Sequence, residues 1–310
     1  GGGGGYNFPT PNPSGNSSVL SPHTVHEVLA NQSLTTSYQP IVHHTAHRLF
    51  AHEALSRPRL PADGSVLSPN EWFSAAHRHG RGLDADLLAM RSALLSQPQL
   101  GHQAERPLFI NVLPTSLLST RFVSELEHLL SLTAHPAHQV VLEITESVAF
   151  DAVHLAEQIR PLRRMGVKIA VDDVGAGRTE VRTLVTLDPD FLKVDQSLVR
   201  GVAGSRIRQR LLASFVRFME SGAAVIAEGV EEREDLLALL DVGVELSQGF
   251  YWSPPLNSEQ IQALLARIEV QRRRLNEAAD AAAELTDAEV LKQSRRLDDL
   301  IVLYQRAMMP

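Results

Sequence analysis

The chain is 310 residues long and 44% hydrophobic, enough for one large domain or two small ones around a sizeable core. It contains no cysteine, which excludes disulfides, thiolate metal sites and a cysteine nucleophile. A formal charge of -7 argues against a general nucleic-acid binder, while a local basic site for a phosphate ligand stays open.

Residues 1–20 open GGGGGYNFPTPNPSGNSS, a run rich in Gly, Pro, Asn and Ser that is expected to be a disordered lead or residues appended to the chain. No apolar run approaches the ~18 residues of a membrane span, and no basic-then-apolar leader stands at the start, so a cytoplasmic protein is expected. Ser21-Pro22 supplies a cap and a first-turn proline for a short helix through Gln32. From there the pattern alternates. Strand-like runs fall at Ser37 to Val42, Leu49 to Leu55, Leu108 to Val112, Gln139 to Ile144, Val167 to Val171, Phe191 to Val194, Ala223 to Ala227 and Glu245 to Tyr251. Helical periodicity lies between most of them, as in Leu117 to Leu132, Val153 to Met165, Arg206 to Glu220 and Glu232 to Leu240. Strands and helices in this order predict an α/β fold, a (β/α)8 TIM-type barrel. The link between the first two strands is short enough for them to pair antiparallel, which would depart from the regular barrel.

In such a barrel the C-terminal strand ends share one face, the face that holds active sites. The polar residues at those ends are Glu53, Asn111, Glu143 with Glu146, Asp172 with Asp173, Lys193 with Asp195, Glu228 and Gln248. Two adjacent aspartates beside a buried strand repel each other and call for a positive neighbour, and oxygen ligands suit a hard cation such as Mg²⁺ or Mn²⁺. Glu53, Asn111, Glu143 and Asp172 can form an oxygen-only ligand set for one ion, with Asp173 holding a second. Two ions would activate a water against a phosphoester. Lys193, in the apolar run Phe-Leu-Lys-Val, is expected to have its pKa lowered by partial burial, and with Glu228 to orient or deprotonate that water. His43 and His47 are four apart, but in a turn that spacing does not align side chains, so they are read as surface residues.

The ordered motifs Tyr38-Gln39-Pro40-Ile41-Val42, Glu53-Ala54-Leu55 with Arg57, Asn111, Leu142-Glu143-Ile144-Thr145-Glu146-Ser147, Val171-Asp172-Asp173, Leu192-Lys193-Val194-Asp195, Ala227-Glu228-Gly229-Val230-Glu231 and Gln248-Gly249-Phe250 resemble those of the EAL-domain cyclic diguanylate phosphodiesterases. The resemblance implies a barrel that opens cyclic diguanylate to linear pGpG with Mg²⁺ or Mn²⁺. It would make Glu53, Asn111, Glu143, Asp172 and Asp173 the metal ligands, and Lys193 and Glu228 the pair that handles water. Gln39, Arg57, Asp195, Glu231 and Gln248 would line the nucleotide, and Glu146 would anchor the loop after Asp173. A guanidinium fork at Arg57 suits a phosphate. Two positions depart from the family pattern: the loop runs Asp173-Val174-Gly175-Ala176-Gly177-Arg178-Thr179-Glu180 in place of an aromatic-containing one, and Pro58 stands where the family has Trp.

After Pro254-Pro255, Asn257 or Ser258 caps a helix whose apolar positions from Leu264 to Leu285 recur at spacings of four and three. Thr286-Asp287-Ala288-Glu289 then opens a second helix, so residues 265–310 are expected to form an α-helical hairpin beyond a barrel domain at 21–264. Ser294-Arg295-Arg296-Leu297-Asp298, with Leu300-Ile301 and Tyr304, resembles the second helix of the small aspartyl-phosphate phosphatases of sporulation control. A hairpin of this size buries little alone and is expected to serve a homodimer or a protein partner such as a response regulator. Two functions remain in view: a phosphodiesterase with an interaction hairpin, and a cyclic dinucleotide receptor that signals through the hairpin. The complete ligand set favours the first.

Overall fold

The computed structural model describes residues 20–44, 46, 48–96, 106–145, 150–176, 181–219, 223–263 and 266. Eight strands close into one barrel in sequence order. β1 (Leu34–His43) is antiparallel to both neighbours, β2 (Arg48–Pro58) and β8 (Leu246–Ser247), as the short first link predicts. β3 (Leu108–Val112), β4 (Val140–Ile144), β5 (Lys168–Val174), β6 (Phe191–Val194) and β7 (Ala224–Ala227) continue the ring in parallel pairings from β2 to β8.

Helices cover the outside. α1 (Pro22–Ala30) is capped by Ser21, whose hydroxyl accepts from the Thr24 N–H, with Pro22 at the first helical position. α2 (Pro69–Arg78) repeats the device with Ser68 and Pro69, and α3 (Gly82–Ser96) lies against α2, β1 and β3. α4 (Pro114–Leu117) and α5 (Thr120–Thr133) replace the single predicted helix from Leu117, and α6 (Ala152–Gln158) and α7 (Arg160–Met165) replace the one from Val153. The second break has a covalent cause. Pro161 donates no N–H and crowds the preceding turn, so the helix restarts at Arg160 with proline in its first turn. α8 (Val181–Leu187), α9 (Gln196–Val199), α10 (Arg206–Phe218) and α11 (Arg233–Asp241) complete the coat.

β1 and β2 are longer than their apolar runs suggest, because the Thr35↔Arg57 to Ser37↔Leu55 pairings carry a two-stranded ribbon past the barrel rim on the side where β2 ends. β8 is shorter than predicted: its ladder stops at Ser247, and Gly249 turns the chain against the backbone of Val230. A further helix occupies residues 258–263, opened by a reciprocal capping box between Asn257 and Gln260. The predicted hairpin at 265–310 otherwise lies outside the described residues. Among the described residues no helix is long and apolar enough to cross a membrane.

Candidate active site

Inside the barrel, Ile41, Ala51, Phe109, Val141, Ala170, Phe191, Ile226 and Leu246 form one buried apolar layer, one residue from each strand. Side chains on a strand return to the same face every second residue. Two residues nearer the mouth on each strand therefore stand Gln39, Glu53, Asn111, Glu143, Asp172, Lys193, Glu228 and Gln248. The layer above the apolar floor is thus wholly polar. Pairings such as Gln39↔Glu53 and Asn111↔Glu143 hold neighbouring members level.

Lys193 is the hub of this layer. Its Nζ lies 2.7 Å from Glu143 Oε1, 2.7 Å from Glu228 Oε1, 3.2 Å from Glu53 Oε2 and 3.6 Å from Asp172 Oδ1. Burial alone would lower its pKa, as expected from the sequence, but the four surrounding carboxylates outweigh burial and push it well above the ordinary lysine value. Lys193 is therefore an ammonium ion, and the expected lowering is corrected. Glu53 feels burial upward, but Lys193 and the Nε2 of Gln248, 2.6 Å away, hold it below its usual range together with Asn111 Nδ2 at 2.8 Å. Glu228 is pushed up to about 8 by burial and by Asp172 and Glu53, against Lys193. Glu143 is raised well above the carboxylate range by burial and the charge of Glu53. Its Oε1 faces Lys193 Nζ at 2.7 Å, and neither oxygen accepts a hydrogen bond from any other described residue.

The aspartate pair reaches the same space by a backbone irregularity. In a regular strand Asp172 and Asp173 would face opposite sides. The β5–β6 register shifts between Val171 and Val174, and Asp173 takes φ +56°. Asp172 keeps its regular inward place, and the bulge re-aims Asp173 to the same side, as bulges beside active sites do. Ligand atoms of Asp172, Asp173 and Glu228 then lie within 4.8 Å of one another. Glu228, read from sequence as a partner of Lys193, thus also stands with the aspartates. Glu53, Glu143, Asp172, Asp173 and Glu228 oppose one ammonium, and the two oxygens of buried Glu143 accept no hydrogen bond from a described residue other than Lys193. This donor set, all oxygen and in charge excess, fits a hard divalent cation.

A cavity of about 280 Å³ opens on this layer, with Gln39, Glu53, Asp173, Glu228 and Gln248 in its wall and Asp195 and Glu231 at its rim. Gln39 donates to the Ser253 carbonyl and accepts from Gln248 Nε2. Asp195 caps α9 by accepting from Ser197 N–H, and Glu231 pairs with Arg200. Arg57 stands on the face of Glu53 four residues up β2, donates to the Ser56 carbonyl and does not line this cavity. Glu146 lies outside the described residues. Gln196, Arg200 and the exposed Phe250 line the cavity without having been singled out from sequence. Gln196 opens α9, Arg200 caps its end and Phe250, part of the Gln248-Gly249-Phe250 motif, lies in the turn after β8, all in pieces too short for periodicity to mark. A second cavity of about 250 Å³, between α1, α3 and α5, is lined by Arg81, Arg91 and Arg121, each already paired with Asp84 or Glu125.

A family model described as EAL domain matches residues 23–255. The chain belongs to the EAL domain family. A second model, Spo0E like sporulation regulatory protein, matches residues 264–306, the predicted hairpin. Within the EAL domain family, the cyclic di-GMP phosphodiesterase PdeF of Escherichia coli K12 is 30% identical over 209 residues, 66% of this chain and 28% of that protein. Klebsiella pneumoniae BlrP1, solved as a calcium/cy-diGMP complex, is 36% identical with a TM-score of 0.62, covering 73% of this chain and 56% of that one. The PaMucR phosphodiesterase in complex with c-di-GMP is 25% identical with a TM-score of 0.68, covering 77% and 98%. The chain therefore spans well under half of PdeF and a little over half of BlrP1.

Proposed function

We propose that this EAL domain protein is a divalent-metal-dependent phosphodiesterase that hydrolyses cyclic diguanylate to linear pGpG. The observation that carries the reading is the polar layer above the apolar floor, where the carboxylates of Glu53, Glu143, Asp172 and Glu228 crowd one lysine, with Asp173 beside them. Relatives named cyclic di-GMP phosphodiesterases, and neighbours solved with cy-diGMP and calcium or manganese, support the substrate class and the metal.

In this reading Glu53, Asn111, Glu143, Asp172 and Asp173 hold Mg²⁺ or Mn²⁺, with two ions filling the set. Such ions supply an activated water and neutralise charge gathering on the phosphoester. Lys193, held among the carboxylates, orients the water from Nζ. Glu228 accepts the proton at a carboxylate oxygen; positive charge placed among these carboxylates favours its ionised form. The water oxygen bonds to phosphorus, one ester P–O bond breaks, and the departing oxygen takes up a proton. Gln39 and Gln248 present amides to the nucleotide, Arg57 its fork to a phosphate, and Asp195 and Glu231 the rim of the opening. Glu146 anchors the loop after Asp173. Residues 265–310 serve a homodimer or a response-regulator partner, and the protein acts in the cytoplasm.

The test is incubation with cyclic diguanylate and Mg²⁺ or Mn²⁺, followed by chromatography. Linear dinucleotide formed only with metal is the expected result. Tight binding with no product would replace this reading by that of a receptor.

A further inference from the structure

Two loops that carry the acidic residues of the site press on one short helix. Gly175, in the turn that follows Asp172 and Asp173, has φ +104°, and a Cβ there would stand 2.2 Å from Leu198 Cδ1 and 2.9 Å from its Cγ. Gly229, directly after Glu228, has φ +67°, and a Cβ there would stand 2.5 Å from Gln196 Cβ. Leu198 and Gln196 both belong to α9, which begins three residues after Lys193 of β6. The backbone ties the same three pieces together. Asp195 N–H donates to Val174 at 3.1 Å, and Glu228 N–H donates to Val194 at 3.0 Å.

We propose that α9 is a wedge between the two loops, with Leu198 and Gln196 as positioning residues that set the separation of Asp172 and Asp173 from Glu228. Neither loop carries a side chain at the contact, so each rests with its backbone on α9, and a displacement of α9 moves carboxylates on both sides of the site. Gly175 and Gln196 are exposed and Leu198 is half-buried, so the contact acts by direct steric exclusion at these distances and not by core packing. Leu198 touches the acidic cluster only through Gly175, and its effect on the site is indirect. The proposal rests on the metal-dependent reading above.

The geometry supplies its own test, because Gly175 and Leu198 can exchange volume. Truncating Leu198 to Ala leaves only its Cβ, which is 3.9 Å from the position of an added Gly175 Cβ, an ordinary contact. Gly175→Ala alone must push Leu198 aside, Leu198→Ala alone removes the support under the turn, and the double variant restores a contact through the new methyl. The backbone strain at φ +104° is common to Gly175→Ala and the double variant, so it cancels in the cycle. Mn²⁺ affinity is measured by calorimetry on the full chain without nucleotide. Each single change is expected to weaken binding about tenfold, and the double variant to bind about tenfold tighter than the product of the two losses, within the usual coupling of touching residues. Leu198→Met, which keeps the volume, should bind like the parent, and so should Val28→Ala on the buried face of α1, though it lowers thermal stability. If Gly175→Ala does not fold, Leu198→Ala against Leu198→Met and Val28→Ala still decides. Additive losses, or a Val28→Ala protein as weak for Mn²⁺ as Leu198→Ala, would overturn the wedge while leaving the metal site standing. A parent that binds no Mn²⁺ would overturn the metal reading and the wedge with it.

Discussion

Glu143 is a fully buried carboxylate whose oxygens accept no hydrogen bond from a described residue other than Lys193, an ammonium shared with three other acids. Such a group is costly to ionise in a dry interior, which is why its pKa rises. Glu143→Gln keeps the shape of the protonated acid, so the metal-free protein should melt no lower than the parent, while the rise in melting temperature on adding Mn²⁺ should shrink. A clear loss of metal-free stability would show that Glu143 is ionised against Lys193. Glu53→Ala should abolish both the Mn²⁺-induced rise and cleavage, since Glu53 also orders Asn111 and Gln248. Lys193→Ala should lower turnover and leave nucleotide affinity within about tenfold, because Lys193 acts on water and not on the bound dinucleotide. Parallel loss of both would place Lys193 among the nucleotide contacts. The identity of these residues was legible because each stands at the end of an apolar run with a period of two. The protonation of Lys193 was not, because sequence order shows its apolar neighbours and hides the four acids that other strands bring to it.

Among the elements, the strands most exposed to misreading were those that depart from regular pleating. β5 was expected to stop at Val171, whereas it runs on to Val174 through the bulge, and only the fold shows that adjacent aspartates share one side. Gly249 is the counterpart at β8: an added Cβ would lie 2.2 Å from the carbonyl oxygen of Val230, with backbone on both sides of the contact. Gly249→Ala should therefore destabilise by about 1–3 kcal/mol in urea unfolding, with weaker nucleotide binding through the adjoining Gln248. α3 and α4 are joined by Asp86, whose carboxylate accepts the Leu113 N–H at 2.9 Å. Burial raises the pKa of Asp86 from 3.8 to about 7. A raised acid binds more protons folded than unfolded, so its contribution is fully present below about pH 3.8 and is lost as pH rises through about 7. An Asp86→Asn variant, followed by urea unfolding from pH 4 to 8, should escape that fall, which is on the order of a few kcal/mol. An unchanged pH slope would show Asp86 to be ionised throughout.

For the whole molecule, the complete polar layer lies within the residues that match the EAL domain model, and the core of the described residues ends only a little beyond them, at Ile261. A chain truncated after Ile268 should therefore keep cleavage and lose any self-association, as should Leu297→Asp with Ile301→Asp. Sedimentation and cleavage measured side by side check this, and loss of cleavage in both would show that the C-terminal residues help build the site. Barrel closure was readable from the alternation of runs and the brevity of the first link. The ribbon beyond the rim was not, because its Thr, Ser and Arg residues carry no apolar signal.

The reversed direction of β1 has a mechanical consequence. In an all-parallel barrel the first strand begins on the floor, far from the chemistry. Here Leu34 begins at the open end, and only four residues separate it from Gln39, whose amide joins Gln248 beside Glu53. A pull or twist on the chain ahead of Leu34 is thus applied at the working end of the molecule, along a strand paired with β2 from Leu34 onward, and it reaches the acids without crossing the apolar floor.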